Sequence, residues 1–316
     1  MIRLVILLVA LTGAAQAGTL DRVRAEGVLH CGSAIRPGLA FPDADGVWHG
    51  LNVDICRAVA AAALGPQGRV VFSAYIQGRT FDRARTGQDE VSFLTASEML
   101  AENLVGHVLP GPPVFYLATG ALVPETSPAQ HLADLTPDNI CAEPGTGPER
   151  SMTAWFAARH LPLHYFMFQE SDEMLDAYLA GRCGAIVQEM PSLAGYRLNA
   201  EEGRPSRILS EPFSAVPLMV ATGQDDGAWA ALVGWTVQTL MRAETQGQPG
   251  PGGGAQPLPI AGFGLPPDWQ AQVLRVTGSY ADIYSRNLGA GSPLDLPRGL
   301  NRLWTDGGLL CPPFTE

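Results

Sequence analysis

The chain has 316 residues, of which 46% are hydrophobic and 16% are charged. This length predicts two domains, and this composition predicts packed cores and excludes an intrinsically disordered protein. The formal net charge is −11, all 20 basic residues are Arg, and no basic run occurs, so we expect no nucleic-acid partner.

The first 17 residues have the pattern of a secretory signal peptide. Arg3 supplies a positive charge, Leu4–Leu11 form a short apolar run, and Ala15-Gln16-Ala17 is a small-x-small cleavage site. The apolar run is too short to span a bilayer. We therefore expect an exported protein whose mature chain begins at Gly18.

Hydrophobic periodicity predicts alternating strands and helices along the rest of the chain. The predicted strands are Val28–Gly32, Arg69–Ser73, Val91–Leu94, Val114–Val123, Asn139–Ala142, Tyr165–Phe168, Ala185–Gln188, Arg207–Leu209 and Ala215–Thr222. The predicted helices are Thr19–Gly27, Val53–Leu64, Thr80–Thr86, 151–160, 172–180 (with Ser171 as its N-cap), 191–199, 228–243 and 267–288. The intervening stretches are predicted as loops, with 95–103 a loop or a short helix.

The order of these elements predicts an α/β fold. A repeated β-α-β succession implies a parallel sheet with helices on its faces. Two apolar strands, Val114–Val123 and Ala215–Thr222, bracket a block in which the succession starts again. If both strands cross between lobes, the first lobe comprises residues 18–120 and 215–316, and residues 121–214 form an inserted second lobe.

The stretch Cys141-Ala-Glu-Pro-Gly-Thr-Gly-Pro-Glu-Arg-Ser151 joins a strand to a helix through a glycine loop. Pro148 suits the first helical position, so Thr146 or Gly147 is the predicted N-cap. Free backbone N–H groups at such a helix start can hold a carboxylate or a phosphate. The alternative is an ordinary strand-to-helix turn, which is common in α/β domains.

The chain has five cysteines, and an oxidising compartment permits disulfides between them. Because five is odd, at least one thiol stays free or pairs between chains. No C-x-x-C pair occurs and the six histidines lack ligand spacing, so we expect neither a metal nor another cofactor.

Several stretches resemble the periplasmic amino-acid-binding proteins of ABC importers, in the general L-amino-acid branch of solute-binding protein family 3. The matching segments are Gly27–Gly32, Val53–Ala60, Gly145-Thr146 with Glu149, Ala180–Cys183, Ser210–Pro212, and the long tail Ala281–Trp304 with Gly307–Leu310. The resemblance implies the type II periplasmic-binding-protein (venus flytrap) fold. Two α/β lobes are then joined by two crossing strands, and the ligand lies in the cleft.

The resemblance also implies one disulfide in each lobe. We expect Cys31 to pair with Cys56 and Cys141 with Cys183, which leaves Cys311 free. The alternative is that these four residues are buried thiols at contacts between helices and strands.

For the ligand site, the resemblance implies hydroxyls and an Arg from the first lobe that hold the α-carboxylate of an amino acid. Thr95 and Ser97 keep the hydroxyls, but Glu102 occupies the position of that Arg. In the second lobe Thr146 is kept, and Gly147 replaces a second Thr. The Asp that takes the α-ammonium aligns with Glu189.

The loss of the expected Arg leaves three interpretations of this site. Arg36, on the loop after the first strand, replaces the lost residue. Alternatively, the ligand is cationic or neutral and is held by Glu102, Glu189 and Glu98, or transport binding has been lost. Glu102 pointing to solvent is a further alternative. Among the aromatic side chains, Phe41 is the one expected near the cleft.

The function that the resemblance implies is capture of a small polar solute in the periplasm and its delivery to an inner-membrane ABC permease. We expect a monomer that closes about hinges near Leu117–Leu122 and Val216–Thr222. The alternatives are an accessory or sensor protein without a transport role, and a periplasmic dehydratase-like enzyme with Glu189 or Glu102 as general acid. We expect no enzyme, because no nucleophile–base pair is evident.

Overall fold

The computed structural model describes residues 18–76, 81–136, 139–201, 203–247, 260 and 262–312. The strands are β1 (Val28–Ala34), β2 (Phe41–Pro42), β3 (Trp48–His49), β4 (Arg69–Tyr75), β5 (Val91–Thr95), β6 (Val108–Pro124), β7 (Ile140–Ala142), β8 (Tyr165–Met167), β9 (Ala185–Glu189), β10 (Ser206–Ile208) and β11 (Ser214–Gly223).

The helices cover the faces of the sheet that most of these strands form. They are α1 (Thr19–Glu26), α2 (Leu51–Leu64), α3 (Asp82–Arg85), α4 (Ala96–Ala101), α5 (Gly147–Ala157), α6 (Ser171–Leu179), α7 (Met190–Ala200), α8 (Gly227–Thr245), α9 (Trp269–Thr277) and α10 (Tyr280–Asn287). The described helices include none with the length and apolar composition that a membrane crossing requires.

One nine-stranded sheet runs through both lobes in the order β4-β1-β5-β11-β6-β9-β7-β8, with β10 paired to β6. The strands of each lobe pair in parallel, β1 with β4 and β5, and β7 with β8 and β9. The crossing strands β6 and β11 run antiparallel to each other and to their neighbours β9 and β5. The predicted parallel pairing is therefore present within each lobe. The two predicted crossing strands are antiparallel, because the chain passes along them from one lobe to the other and back.

The long strand β6 contributes to the cores of both lobes. Val114 and Phe115 belong to the first-lobe cluster, which also contains most of α2 and the buried face of α8. Ala121 and Val123 pack in a second-lobe cluster against α5, while Leu122 packs on the other side of the sheet against α6. This alternation follows from the period of two in a strand, which here has buried neighbours on both faces.

The C-terminal segment is bound to the first lobe by buried polar contacts. The Asp54 carboxylate on α2 accepts from Arg286 at 2.8 Å and from Asn287 at 2.7 Å. The Asn301 side chain accepts from the Tyr116 N–H at 2.6 Å and donates to its carbonyl at 3.2 Å. The long tail that carries the family resemblance thus satisfies buried groups of α2 and β6.

Three local predictions differ from the structure. The predicted helix 267–288 is two helices, because Gly278 has a φ of +74° and Ser279 starts α10 with a capping box to Asp282. Ser171 is the first residue of α6 rather than its N-cap, which is Glu170. The loop predicted between Arg36 and Gly50 contains the hairpin β2–β3. Thr80 and most of the Pro/Gly-rich loop 246–261 lie outside the described residues.

Both predicted disulfides are present. Cys31 on β1 is joined to Cys56 on α2 with a Cα–Cα distance of 6.5 Å. Cys141 on β7 is joined to Cys183 with a Cα–Cα distance of 5.8 Å. Cys311 is a free, exposed thiol. The alternative of buried free thiols is therefore wrong for these four residues.

Candidate ligand site between the lobes

Arg36 lies on the loop after β1, and the backbone holds this loop in a tight turn. Its N–H donates to the Ala40 carbonyl at 2.9 Å, and its own carbonyl accepts from Leu39 and Ala40 at 3.1 and 3.0 Å. Gly38 has a φ of +69°, and a Cβ there would come within 2.5 Å of Leu288. The turn therefore requires glycine, and it fixes the position from which the Arg36 side chain starts.

The Arg36 guanidinium contacts carboxylates from both lobes. Its Nε donates to Glu189 Oε2 at 2.8 Å, and its Nη2 lies 3.4 Å from Glu189 Oε1. The same Nη2 donates to Glu98 Oε1 at 3.0 Å. Glu189 ends β9 in the second lobe, whereas Glu98 belongs to α4 in the first. These contacts therefore bridge the cleft.

These three charged side chains are largely shielded from water. Their exposed fractions are 14% for Arg36, 18% for Glu98 and 21% for Glu189. Burial lowers the pKa of Arg36, but the Glu189 and Glu98 carboxylates raise it by more, so the net pKa lies above its ordinary value. The guanidinium is therefore charged at any physiological pH.

The third guanidinium nitrogen of Arg36, Nη1, differs from the other two, which are bonded to carboxylates. Nη1 is buried and has no hydrogen-bond partner among the residues that the structure describes. An unsatisfied buried donor costs about 1–3 kcal/mol. An oxygen atom from a ligand in the cleft would remove this cost, so Nη1 is the site's free donor.

Glu98 is held in position by the start of α4. Its Oε2 accepts from the Thr95 N–H at 2.7 Å and from the Thr95 hydroxyl at 3.0 Å, and the Glu98 N–H donates to Thr95 Oγ1 at 3.1 Å. This reciprocal pattern is a capping box. One Glu98 oxygen thus caps the helix and the other holds Arg36. The Thr95 hydroxyl, predicted to face the ligand, is used by the cap.

A chain of hydrogen bonds continues from Glu189 into the second lobe. The Glu189 N–H donates to Gln188 Oε1 at 3.0 Å, and Gln188 Nε2 donates to Glu143 Oε2 at 2.8 Å. The other Glu143 oxygen accepts from the Ser171 hydroxyl at 2.8 Å. Glu143 follows β7, Gln188 lies near the end of β9, and Ser171 starts α6, so these groups meet at the carboxyl edge of the parallel strands.

The predicted helix start at Thr146 and Gly147 is present. Thr146 is the N-cap of α5, and its hydroxyl accepts from the Glu149 N–H at 3.3 Å and donates to the Glu143 carbonyl at 2.7 Å. Gly147 is exposed, and a Cβ there would meet nothing within 4 Å. This loop lies beside Glu143 at the same edge of the second lobe.

The remaining predicted site residues lie outside the Arg36 cluster. Glu102 is the C-cap of α4, and its main-chain carbonyl accepts from Arg85. Ser97 is exposed on α4. Phe41 lies on β2, with its ring centroid 6.0 Å from that of His49. The carboxylates that contact Arg36 are those of Glu98 and Glu189.

The prediction gave Glu98 little weight and missed Glu143 and Gln188. The Thr95-x-x-Glu98 spacing is a capping-box signature, which would have indicated a carboxylate that folds back toward the first-lobe strand ends. Glu143 and Gln188 each lie at the end of a predicted strand, where α/β proteins place their ligands.

At the opposite end of β1 lies a group of potential metal ligands. Atoms of Glu26, His30 and Glu90 lie within 4.8 Å of one another. Glu90 already accepts from the His30 N–H at 2.9 Å and lies 3.3 Å from the His30 ring. This group is remote from the Arg36 cluster, and its internal bonds account for its arrangement.

Comparison with known proteins gives the family. No protein-family model matches the chain. The general L-amino acid-binding periplasmic protein AapJ of Rhizobium johnstonii is 32% identical over 319 residues, which cover 95% of this chain and 93% of that protein. The chain belongs to the periplasmic amino-acid-binding proteins of ABC importers. Membership in this family implies a periplasmic location.

A second relative and a solved structure agree with this assignment. The glutamate/glutamine/aspartate/asparagine-binding protein BztA of Rhodobacter capsulatus is 29% identical and covers 96% of this chain and 95% of that protein. The periplasmic binding protein of Brucella ovis with glutathione bound has a TM-score of 0.76, with 30% identity over 93% of this chain and 98% of that one. The solved structure confirms the two-lobed fold along nearly the whole length.

Proposed function

We propose that this protein captures an L-amino acid, or a related small polar solute, between its lobes and delivers it to an inner-membrane ABC permease. In this proposal the first lobe comprises residues 18–120 and 215–316, and residues 121–214 form the second. The relatives are named for binding general L-amino acids and for binding glutamate, glutamine, aspartate and asparagine. The solved relative holds glutathione, which also contains an α-amino acid group.

The observation that carries the proposal is the unpaired donor on Arg36. A buried guanidinium with a free N–H is suited to a carboxylate, because the charge-assisted hydrogen bond replaces an unsatisfied group. Arg36 thus takes the α-carboxylate in place of the Arg that Glu102 replaces. Support also comes from the position of Arg36 between the lobes, where a ligand contacts both.

The other side chains take complementary roles. Glu189 takes the α-ammonium by accepting its N–H groups, and the helix start at Thr146 and Gly147 offers N–H groups to a ligand oxygen. Glu98 acts through Arg36, whose guanidinium it holds in position. Thr95 acts through the cap that holds Glu98. In this proposal Ser97 contributes its hydroxyl to the cleft, Glu102 a charge at its rim, and Phe41 an apolar contact.

Transport follows from movement of the two lobes about β6 and β11, which connect them. The protein acts as a monomer, after cleavage of the signal peptide behind Ala17, and docks on the permease when closed. It binds no nucleic acid and catalyses no reaction on its ligand. Both curated relatives are binding proteins, which supports this assignment.

Thermal shift of refolded protein with a panel of solutes tests the proposal. A ligand at a hundred times its dissociation constant stabilises the folded state by about 2.7 kcal/mol. We expect stabilisation by L-amino acids and none by the D-enantiomers or by amines without a carboxylate. Hits restricted to amines or to neutral amides would contradict the role of Arg36, and the absence of any hit would favour an accessory protein.

The variant Arg36→Lys tests the site itself. Lysine keeps the charge but cannot form the guanidinium's fixed set of hydrogen bonds. We expect affinity for L-amino acids to fall on the order of 10- to 100-fold, the effect of losing one hydrogen bond to a charged group. Arg57→Lys is the matched control, because Arg57 pairs with Asp54 on α2 away from the cleft. Equal affinities for both variants would contradict the assignment.

A further inference from the structure

We infer that the amino acid bound by this protein carries a cationic side chain, and that Glu143 is the residue that selects it. The inference rests on the proposed function, since it names the ligand class for the same cleft. It starts from the hydrogen-bonded chain that leads from Arg36 through Glu189 and Gln188 to Glu143. This chain gives the cleft a second acidic position beyond the one that takes the α-ammonium.

The Glu143 carboxylate is held by neutral partners. Its two oxygens accept from the Ser171 hydroxyl and the Gln188 amide, both at 2.8 Å. Neither donor carries a charge, and no arginine or histidine in the described part of the chain forms an ion pair with it. The carboxylates of Glu189 and Glu98, in contrast, share the charge of Arg36. Glu143 is thus an oriented carboxylate without a cation.

Its surroundings are already acidic and partly closed to water. Glu143 is half-buried and lies beside Tyr196, whose pKa is raised by burial and, in part, by the charges of Glu143 and Asp172. Asp172 lies in the first turn of α6, next to Ser171. Charges in such a shielded place interact more strongly than in water. A cation placed against Glu143 is therefore favoured, and a further anion is disfavoured.

The formal charge of the whole cluster also favours a ligand with a cationic side chain. Arg36 contributes +1, and Glu98, Glu189 and Glu143 contribute −3, so the formal sum is −2. An amino acid with a neutral side chain leaves this sum unchanged, and an acidic one makes it −3. A dibasic amino acid makes it −1. The site therefore discriminates by charge, in the order basic, neutral, acidic.

The order of contacts along the chain gives the ligand's orientation. Its α-carboxylate binds Arg36 Nη1, and its α-ammonium binds Glu189. The Gln188 side chain links Glu143 to the main-chain N–H of Glu189, so Glu143 lies beside the end of β9 in the second lobe. A long side chain that ends in a guanidinium or an ammonium fits this arrangement, and the Gln188 amide oxygen adds an acceptor on the way.

L-arginine and L-citrulline form a matched pair of probes, because they have nearly the same shape and differ in side-chain charge. We expect the wild-type protein to bind L-arginine on the order of 10-fold or more tightly than L-citrulline by titration calorimetry, and L-glutamate more weakly than either. In Glu143→Gln the preference for L-arginine should fall to about unity, because Gln keeps the hydrogen-bonding shape and loses the charge. Binding of L-citrulline should persist.

Two further variants complete the test. Glu149→Gln is the control, since Glu149 lies on the nearby α5 but accepts from Thr153 and Tyr165, both at 2.9 Å. It should leave the preference unchanged. Glu143→Asp keeps the charge on a shorter arm and should retain part of the preference, which keeps the test usable if Glu143→Gln does not fold.

The outcomes separate this inference from the proposed function. If L-amino acids bind and Arg36→Lys weakens them, but L-arginine has no advantage over L-citrulline, the function stands and the role of Glu143 is wrong. The same holds if the advantage survives in Glu143→Gln. If no L-amino acid binds at all, the proposed function itself fails.

Discussion

Arg36 lies between the lobes. Two of its guanidinium nitrogens are bonded to carboxylates, and the third has no partner within the described part of the chain. This arrangement supports the first of the three interpretations that the sequence left open, in which Arg36 takes the place of the lost Arg. Glu98 and Glu189 hold its guanidinium in position. The sequence alone could not show this, because Arg36 and Glu189 are separated by 153 positions and only the fold brings them together.

Glu90 allows a prediction at the residue scale. Its side chain is 7% exposed, and burial raises its pKa, which the bonds from His30 only partly offset. A carboxyl group with a raised folded pKa binds a proton more readily in the folded state. Its contribution to stability therefore falls as the pH rises from the unfolded value of about 4.3 through the folded pKa. Glu90→Gln should gain stability relative to wild type across this window.

Urea unfolding of both proteins from pH 4 to pH 7 measures this difference. In Glu90→Gln the amide oxygen can still accept from the His30 N–H. The main effect of the variant is therefore that this side chain no longer binds a proton. Glu211→Gln is a control of opposite sign, because the hydrogen bond from His131 and that from the Leu132 N–H lower the pKa of Glu211. In the wild-type protein, the contribution of Glu211 to the free energy of unfolding is lost as the pH falls through its folded pKa. Parallel stability profiles for wild type and Glu90→Gln would contradict the prediction.

At the scale of elements, periodicity and end signals predicted most strands and helices to within a few residues. The exceptions have local causes. The apolar spacing of the helix predicted over 267–288 continues through Gly278. Periodicity therefore does not reveal that the backbone turns there and that two helices are present. The hairpin β2–β3 has only two residues in each strand, too few for a period to register.

The break between α9 and α10 allows a prediction at this scale. The Ser279 hydroxyl accepts from the Asp282 N–H at 3.3 Å, and the Asp282 carboxylate accepts from the Ser279 N–H at 2.8 Å. Replacing an N-cap serine by alanine costs about 1 kcal/mol. Ser279→Ala should lower the free energy of unfolding by about this amount in chemical denaturation.

Ser285→Ala is the matched control for that measurement. Ser285 is exposed in the interior of the same α10, where alanine has the better helix propensity. We expect no loss of stability from this variant. Equal effects of the two substitutions would show that the cap contributes nothing and that the two helices are separated by the glycine alone.

At the scale of the molecule, the family and the two-lobed architecture could be predicted from the sequence, since long motifs carry them. The identity of the cleft side chains could not. Glu102 occupies the position of the family's Arg in the sequence, but it lies at the C-terminal end of α4. The carboxylate that contacts Arg36 is that of Glu98, one helical turn earlier. Alignment gives the position along a helix, but capping and loop direction decide which carboxylate reaches the cleft.

Each lobe also contains one disulfide, and this leads to the last prediction. The cross-links join positions 25 and 42 residues apart, and in the chain-entropy model each contributes about 3–4 kcal/mol. The paired variants C31A/C56A and C141A/C183A should each lower the thermal midpoint, the second slightly more because its loop is longer. Cys311→Ala is the control. It should leave the thermal midpoint unchanged, because that thiol is free and exposed. Alkylation of native protein should label one thiol; labelling of three or more would contradict the pairing.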